Sequence, residues 1–410
     1  AMAEETLQSD PLDYWALNEA GQDFFGMMSS EPSQTILDIV FEYTGAGLFE
    51  EAADLLARFI GWADAVSPMI HYTFGWILEQ LGRSEEAAAA WKQGRAACPD
   101  YCFPSRLEEM RILRQVIDSR QDERAAYYLG NLLYGREHYE EAIAQWEAAL
   151  EGGEPYYVLY RNLGMAYFNN RRDHARALEF MRKAYAMNSD DAHLIFDLCH
   201  LLQLTNAPVE ERIELLEDHM ALVQNRDGLY QELVRAYNEK GDCAQALDLL
   251  GSHVFTPCEG GEHALVEQHI FAHFKLGREA LGEGRCEEAL AHFRDGQVFP
   301  ENLGAGVWNI NFALPCMVYE AICLGAMGDS KAATRIDRFI AGMGTDDFTF
   351  MYQPAVEVYR AMVQQRLGNE KKAQSMLKNC VAEWEAKRHE KGYGYFKITP
   401  FFFSLLEDHD

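Results

Sequence analysis

Apolar and small side chains recur along this chain in a fixed order. Each copy begins with an amphipathic stretch that contains an apolar residue followed by Gly, passes through a short turn, and ends in a second stretch with Ala and, four residues later, a large apolar residue. Two nearly complete copies carry these positions at Leu129, Gly130, Ala142 and Trp146, and at Leu163, Gly164, Ala177 and Met181. Because apolar residues spaced three and four apart lie on one helix face, each copy predicts a helical hairpin.

The spacing between the small residues of successive second helices gives the length of each repeat. The small residue recurs at Ala52, Ala87, Ala142, Ala177, Ala246, Ala289, Ala333 and Ala373. The step from Ala177 to Ala246 is long enough for one additional, degenerate repeat over roughly 193–223. The step from Ala87 to Ala142 contains an insertion at 101–122, whose apolar spacing predicts an extra helix over 105–118 with Ser105 as its N-cap.

Glycines mark the predicted turn between the two helices of most hairpins, where a left-handed backbone conformation ends the first helix. They are Gly47, Gly82, Gly241, Gly284, Gly328 and Gly368. A single hairpin cannot bury its own apolar face, so neighbouring hairpins must stack. The sequence therefore predicts an all-α fold, a right-handed α-solenoid of about eight to nine hairpins with one extra helix.

The same pattern divides the chain into five segments. Residues 1–31 read as the N-terminal end of a helical array plus a cloning scar at Ala1, and the chain as an excised piece of a longer protein. The remaining segments are repeats at 32–100, the extra helix at 101–122, repeats at 123–250, and repeats with longer loops and a C-terminal helix at 251–410.

Composition and charge exclude several classes of function. The formal net charge of −29 would repel a nucleic acid backbone or an anionic membrane surface. No apolar run reaches the length needed to cross a bilayer, and no basic, apolar leader opens the chain. Nine scattered cysteines without a CxxC pair give no reason to expect disulfides. We therefore expect a cytoplasmic protein that binds neither nucleic acid nor membrane.

The repeated phrase resembles the tetratricopeptide pattern, in which W-x2-L-G-x2-Y is followed by A-x3-F and P. A narrower resemblance rests on five phrases that occur in order, beginning at Asp100, Ala126, Tyr160, Cys258 and Phe299. Together they are similar to the C-terminal repeat region of large bacterial proteins that carry an N-terminal β-sandwich like galactose mutarotase. The resemblance implies that any sugar chemistry belongs to that β-sandwich and that this chain is its helical partner domain.

In tetratricopeptide folds the first helix of each hairpin lines a concave groove, so the resemblance implies which side chains face a ligand. The implied residues are Tyr72, Trp76, Tyr127, Asn131, Tyr134, Arg161, Asn162, Phe168, Asn169, Gln231, Arg235, Asn238, Phe274 and Arg278. Aromatic rings mixed with Arg and Asn suit either a peptide backbone or a sugar ring. Packing between repeats is the alternative for each of these residues, and the sequence leaves both open.

One known tetratricopeptide ligand class is disfavoured. Asn131 and Asn162 match the two asparagines of the carboxylate clamp that grips chaperone tails, but Tyr127 replaces its first lysine. His193 and Asp197 stand where the clamp has its remaining basic pair. Without those cations an anionic peptide end loses its charge-assisted hydrogen bonds, so a chaperone-tail adaptor is not expected.

The loop Glu259, Gly260, Gly261 and Glu262 is the most unusual local feature. It either presents two carboxylates to a sugar or a neighbouring domain, or simply turns the chain and caps the next helix. Nearby, the side chains that could ligate a metal are His253, Cys258, His263, His269 and His273. Their spacing matches no familiar zinc motif, so neither a metal nor a cofactor is expected.

Motifs for dinucleotide loops, phosphate loops, serine hydrolases and zinc proteases are missing, so no catalytic residue is assigned. The leading prediction is a non-catalytic scaffold whose groove binds a protein segment or the missing N-terminal β-sandwich. The alternative is a domain that completes the active site or sugar-recognition surface of a carbohydrate-active enzyme. A free adaptor for an unrelated protein is a third possibility, with no motif behind it.

Overall fold

The computed structural model describes residues 2–28, 32–153, 156–256, 262–304, 313–343 and 353–387. Within these ranges every regular element is helical and no strand occurs, which confirms the predicted all-α repeat fold. None of the helices in the described part of the chain combines the length and apolar character needed to cross a bilayer. The chain forms two compact units, residues 1–189 and 190–410, which are described in turn.

Unit 1 contains four helical hairpins, a short N-terminal region and one extra helix. Its helices are α1 Met2–Ser9, α2 Tyr14–Glu19, α3 Pro32–Gly45, α4 Phe49–Trp62, α5 Pro68–Gln80, α6 Ser84–Ala96, α7 Leu107–Arg120, α8 Glu123–Gly135, α9 Tyr139–Gly152, α10 Tyr157–Ala166 and α11 His174–Met187. The hairpins are α3/α4, α5/α6, α8/α9 and α10/α11.

Unit 2 contains five hairpins over its described residues. Its helices are α12 Ala192–Leu204, α13 Val209–Asp218, α14 Met220–Val223, α15 Asp227–Lys240, α16 Cys243–Ser252, α17 Glu262–Gly282, α18 Cys286–Asp295, α19 Leu314–Ala326, α20 Ser330–Gly342, α21 Gln353–Arg366 and α22 Glu370–Lys387. The hairpins are α12/α13, α15/α16, α17/α18, α19/α20 and α21/α22. Each packs against the next in sequence order, as stacking of incomplete cores requires.

Small residues of the first helix make room for large residues of the second. A Cβ atom on Gly130 of α8 would lie 2.4 Å from Cδ1 and Nε1 of Trp146 in α9. The same contact occurs between Gly75 and Trp91, where the distance to Nε1 is 2.4 Å. The glycine thus lets the two helices approach until the indole fills the space that a side chain would otherwise take.

The eight alanines whose spacing gave the repeat length all lie in second helices, and each is at most 4% exposed. The predicted degenerate repeat is the hairpin α12/α13. In this hairpin Arg212 occupies the position that alanine has in the other hairpins. It stands 35 residues after Ala177 and 34 residues before Ala246. Arg212 is itself only 2% exposed, so a position reserved for a methyl group elsewhere holds a buried guanidinium in this hairpin.

The predicted turn glycines are confirmed. All six have a positive φ, between 75° and 92°. In the hairpin α8/α9 the same left-handed position is taken by Glu137, with φ of 65°. The sequence pattern overlooked it because Glu rarely adopts this conformation.

One hairpin of unit 1 contains an additional residue. In the hairpin α8/α9, Gly130 of the first helix and Ala142 of the second are 12 residues apart in sequence. In the hairpin α10/α11, the equivalent Gly164 and Ala177 are 13 residues apart. The surplus residue is absorbed by a π-helical turn, Tyr167–Arg171, which ends at Arg172 in the left-handed region with φ of 57°. The second helix therefore keeps its register against the first.

The predicted extra helix is α7, and its predicted N-cap is wrong. The helix begins at Leu107, and Ser105 does not cap it. Instead the buried carboxylate of Glu109 accepts hydrogen bonds from the backbone N–H groups of Ser105 and Arg106, at 2.7 and 2.8 Å. A side chain from within the first turn thus satisfies the N–H groups that precede the helix.

Candidate functional site

The candidate site is the first-helix face, which we define as the surface formed by α3, α5, α8 and α10 in unit 1 and, separately, by α12, α15, α17, α19 and α21 in unit 2. Most of the residues that the resemblance implied lie on these helices. Glu259, Gly260 and Gly261 lie outside the described residues. Glu262 begins α17, but its side chain is also outside them.

The two implied residues of α5 are buried. Tyr72 is fully enclosed, and its hydroxyl donates a hydrogen bond to Asp122 Oδ2 at 3.1 Å. Trp76 lies beneath Arg111 of α7, whose guanidinium carbon is 5.9 Å from the ring centroid. Because the inserted helix packs against α5, both aromatic residues have the packing role that the sequence left open.

Two further implied aromatic residues are buried. Tyr127 packs edge-on against Tyr128 and Tyr156, with centroid distances of 5.3 and 4.9 Å. Burial raises the pKa of the Tyr127 hydroxyl above its usual value. Phe168, in the π-helical turn, stacks on His174 with centroids 4.9 Å apart. Tyr127 thus packs between neighbouring hairpins, whereas Phe168 packs inside the hairpin α10/α11.

Asn131 and Asn162 are hydrogen-bonded to each other. Asn131 Oδ1 accepts hydrogen bonds from Asn162 Nδ2 at 3.2 Å and from Trp146 Nε1 at 3.1 Å. Because these two hydrogen bonds occupy the side-chain oxygen, the amide nitrogen is the part of Asn131 that remains to contact a further group, and it can only donate. The core indole of α9 therefore orients an amide donor on α8.

That donor contacts the chain's own insertion. Asn131 Nδ2 donates to the backbone carbonyl of Cys102 at 3.5 Å, and Arg136 Nη2 donates to the carbonyl of Ser105 at 2.6 Å. We call residues 101–106 the held segment. It has no helix or strand of its own, and α8 together with its C-cap residue Arg136 holds it by two backbone carbonyls.

The remaining implied residues of unit 1 are more accessible. The Tyr134 ring lies near Trp146, with centroids 5.2 Å apart, and its hydroxyl donates to Asn170 Oδ1 at 3.1 Å. Asn169 is exposed, whereas Arg161 is half-buried and has polar or ring contacts within the molecule. Of the implied set in this unit, Tyr134, Arg161 and Asn169 stay accessible to a ligand.

In unit 2 the implied residues of α15 form polar contacts, one within the helix and one with the next first helix. Arg235 of α15 donates to Glu232 Oε1 at 2.9 Å. Asn238 donates to both Gln268 Oε1 and the Gln268 carbonyl of α17, at 3.0 and 3.1 Å. The Asn238–Gln268 hydrogen bonds couple α15 to α17, and both side chains are buried.

Farther along α17, a cation lies over aromatic rings. The Arg278 guanidinium carbon is 5.6 Å from the centroid of Phe274 and 5.5 Å from that of Tyr319. Phe274 is fully buried, so only its neighbours can face a ligand. Gln231 and Arg278 are half-buried, which leaves them accessible on this face.

Glu267 of α17 makes stability depend on pH. Burial raises the pKa of its carboxyl from 4.5 to about 7, and the charge of Arg235 limits the rise. The folded state therefore keeps a proton that the unfolded state loses, and stability falls as pH rises from about 4.5 to about 7. We expect Glu267→Gln to remove this loss, a gain of about 1–3 kcal/mol at pH 8 that is absent at pH 4.

Urea unfolding of both proteins from pH 4 to pH 8 measures this effect, because the difference between the two curves cancels every other titrating group. A difference that does not change with pH would show that Glu267 titrates normally.

Sequence reasoning missed Arg212, which lies in a second helix. Its guanidinium bonds to Glu239 of α15, and Glu239 also accepts from Gln203 of α12 at 2.7 Å. Burial lowers the pKa of Arg212. Its Nε and Nη1 atoms have no hydrogen-bond partner among the described residues. The only sequence signal was its position, at the repeat distance from Ala177, because Arg is rarely buried.

The histidines considered for a metal do not gather into a ligand set. Nδ1 of His273 lies 3.2 Å from Nδ1 of His292, while His269 Nε2 is 3.0 Å from the Val298 carbonyl. His253 Nε2 lies 2.8 Å from Asp227 Oδ1. Over the described ranges no three potential ligands are arranged to hold a metal ion. Cys258 and the His263 side chain are outside those ranges.

Comparison with known proteins relates one part of the chain to a family. Residues 113–192, from α7 to α12, match the family model for tetratricopeptide repeats. The crystal structure of YrrB, a tetratricopeptide protein with an unusual peptide-binding site, is 18% identical; the match covers 53% of this chain and 97% of that one, with a TM-score of 0.35.

Two other structures are similar. The Naa15/Naa10 complex bound to HypK-THB matches 73% of this chain and 43% of its own, at 14% identity and a TM-score of 0.40. The C-terminal part of a repeat protein from Cytophaga hutchinsonii matches 65% of this chain and 97% of its own, at 13% identity and a TM-score of 0.35. The match to tetratricopeptide repeats at residues 113–192 lies within an all-α array of stacked hairpins.

Proposed function

We propose that this chain is a protein-binding scaffold that holds an extended segment of another polypeptide on its first-helix face. One observation carries the proposal: Asn131 of α8 and Arg136, the residue that follows α8, already hold the held segment by two of its backbone carbonyls. Backbone contacts of this kind do not depend on the ligand's side chains, so the same chemistry can serve a foreign segment.

The accessible residues of the face suit this role. Tyr134 offers a flat ring and a hydroxyl, Asn169 an exposed amide, and Arg161 a planar set of donors. All three lie on α8, α10 or the π-helical turn that follows α10. A peptide lying across these elements would meet donors for its carbonyl groups and a ring for an apolar side chain.

A selection experiment tests the proposal. Random peptides displayed on phage are selected on the whole chain, and the enriched peptides are synthesised with a fluorescent label. We expect saturable binding by fluorescence anisotropy, with loss of affinity when first-helix residues are replaced. A selection that enriches no binding peptide, or peptides insensitive to every first-helix replacement, would contradict the proposal.

Arg161→Ala is the replacement expected to separate binding from folding. It should weaken the selected peptide about tenfold, or about 1.4 kcal/mol, because a guanidinium supplies several donors. The free energy of unfolding should change by no more than about 1 kcal/mol. Lys92→Ala is the matched control, since it removes one positive charge from an exposed position on the second helix α6. Loss of stability with unchanged binding would assign Arg161 to the structure alone.

We also propose which molecules this chain binds. The resemblance noted in the sequence implies a β-sandwich domain like galactose mutarotase as the partner, and a carbohydrate-related role for the parent protein. Calorimetric titration of the chain with such a domain and, separately, with oligosaccharides tests both implications. Heat only with the domain supports an interdomain role, and heat only with the sugar supports carbohydrate recognition.

A further inference from the structure

A cleft of about 380 Å³ opens in unit 1 between α2, α3 and α7. Its apolar lining comes from Trp15, Ile39 and Phe41, and its polar lining from Asp38, Glu42, Arg106 and Glu108. Apolar clefts that carry a few polar groups are where proteins usually take up a ligand or a side chain of a partner. The charge of the polar groups decides which side chain fits.

Arg106, the one cation among the described residues of the lining, is already engaged. Arg106 donates to Asp38 Oδ1 through Nε at 2.9 Å and Nη2 at 2.6 Å, and to Gln34 Oε1 through Nη1 at 2.7 Å. Glu42 and Glu108 are exposed and have no ion pair among the described residues. The cleft therefore has two carboxylates more than its own positive charge can balance.

Trp15 adds a second attraction for a cation. It lines the cleft and packs against Tyr43, with ring centroids 5.1 Å apart, so the indole is fixed in place. An indole face attracts an ammonium or guanidinium group, and the nearby carboxylates add a charge-assisted hydrogen bond. Apolar walls also suit the methylene stem of such a side chain.

An exposed leucine stands between two cleft-lining residues in the sequence. Leu107 lies between Arg106 and Glu108 in sequence, at the start of α7, and is 66% exposed. A large apolar side chain this accessible gains free energy when a partner covers it, because its apolar surface leaves water. The most favourable partner thus places an apolar residue next to its cation.

We propose that this cleft binds a Lys or Arg side chain of a partner protein segment in which an apolar residue adjoins the cation. The proposal rests on the proposed scaffold function and adds the chemistry of the partner. Charge complementarity supports it twice: the cleft has an excess of carboxylates, and the net charge of −29 steers a basic segment toward the molecule.

The test uses three labelled peptides and the whole chain. The first peptide repeats Leu-Lys pairs within a Gly-Ser sequence, the second replaces Lys by Glu, and the third replaces Leu by Ser. Binding is measured by fluorescence anisotropy at low salt and at about 0.15 M salt. We expect the Leu-Lys peptide to bind most tightly, the Ser version less tightly and the Glu version not at all.

Two double variants separate the cleft from the general acidity of the chain. Glu42→Gln with Glu108→Gln removes both uncompensated carboxylates and should weaken the Leu-Lys peptide at least tenfold. Glu85→Gln with Glu151→Gln is the matched control, since it changes the net charge equally. Glu85 lies in the first turn of α6, as Glu108 does in α7, and Glu151 lies near the end of α9, as Glu42 does in α3. The control should change affinity less than twofold.

Equal weakening in both variants would assign binding to the overall charge and overturn the proposal. So would the absence of Leu-Lys binding to the unaltered chain. The scaffold function has its own test, so the two can fail separately. Selected peptides without basic residues that bind only through Arg161 would retain the scaffold function and overturn this inference.

Discussion

Trp146→Ala is expected to lower the free energy of unfolding by about 3–5 kcal/mol. The indole is 2% exposed, fills the space left by Gly130, and donates to Asn131 Oδ1 at 3.1 Å. Its removal opens a cavity between α8 and α9 and leaves the half-buried amide oxygen of Asn131 with one hydrogen bond fewer. Urea unfolding followed by circular dichroism measures the loss.

Trp62→Ala is the control for this change, because Trp62 is 48% exposed at the end of α4. We expect it to cost less than half as much, since less of its surface leaves water on folding. A Trp146→Ala protein as stable as the unaltered chain would mean that the glycine and the indole do not hold the hairpin together.

Arg212→Ala is expected to destabilise the chain by about 3–5 kcal/mol, although alanine stands at the equivalent position in the other hairpins. The guanidinium bonds to Glu239, and Glu232, only 4% exposed, lies close enough for its charge to act on Arg212. Removal of the cation leaves a buried carboxylate without that compensation and a cavity beside α15. Chemical unfolding measures the change.

A double-mutant cycle isolates the ion pair from the cavity. Glu239→Gln alone should destabilise the chain, and the pair Arg212→Ala with Glu239→Gln should cost less than the sum of the two single changes. If Arg212→Ala instead stabilises the chain, the hairpin prefers the residue of its neighbours and the buried cation has no structural role.

The repeat was predictable because it depends on contacts within one hairpin. Gly130 and Trp146 are only 16 residues apart in sequence. The number of residues between the small residue of the first helix and the alanine of the second is nearly constant. Gly241 and the other turn glycines follow from backbone sterics alone. Such local rules can be read from one sequence without knowing how hairpins stack.

The details of the candidate site depended on longer-range packing. Tyr72 and Trp76 matched ligand-facing positions, but α7 packs against α5, and no pattern in the insertion indicates where it docks. The burial of Arg212 could not be predicted, because it depends on Glu239, which lies 27 residues away in a different hairpin. The position of the degenerate repeat could be predicted, whereas the charge inside it could not.

Photo-crosslinking can show whether the first-helix face holds a protein segment. A photoreactive amino acid is placed at Asn169, which is exposed after α10, or at Lys92 on the second helix α6, and each protein is irradiated with a selected peptide. We expect a peptide adduct from position 169 and little from position 92. Adducts from position 92 alone, or in equal yield from both, would contradict this expectation.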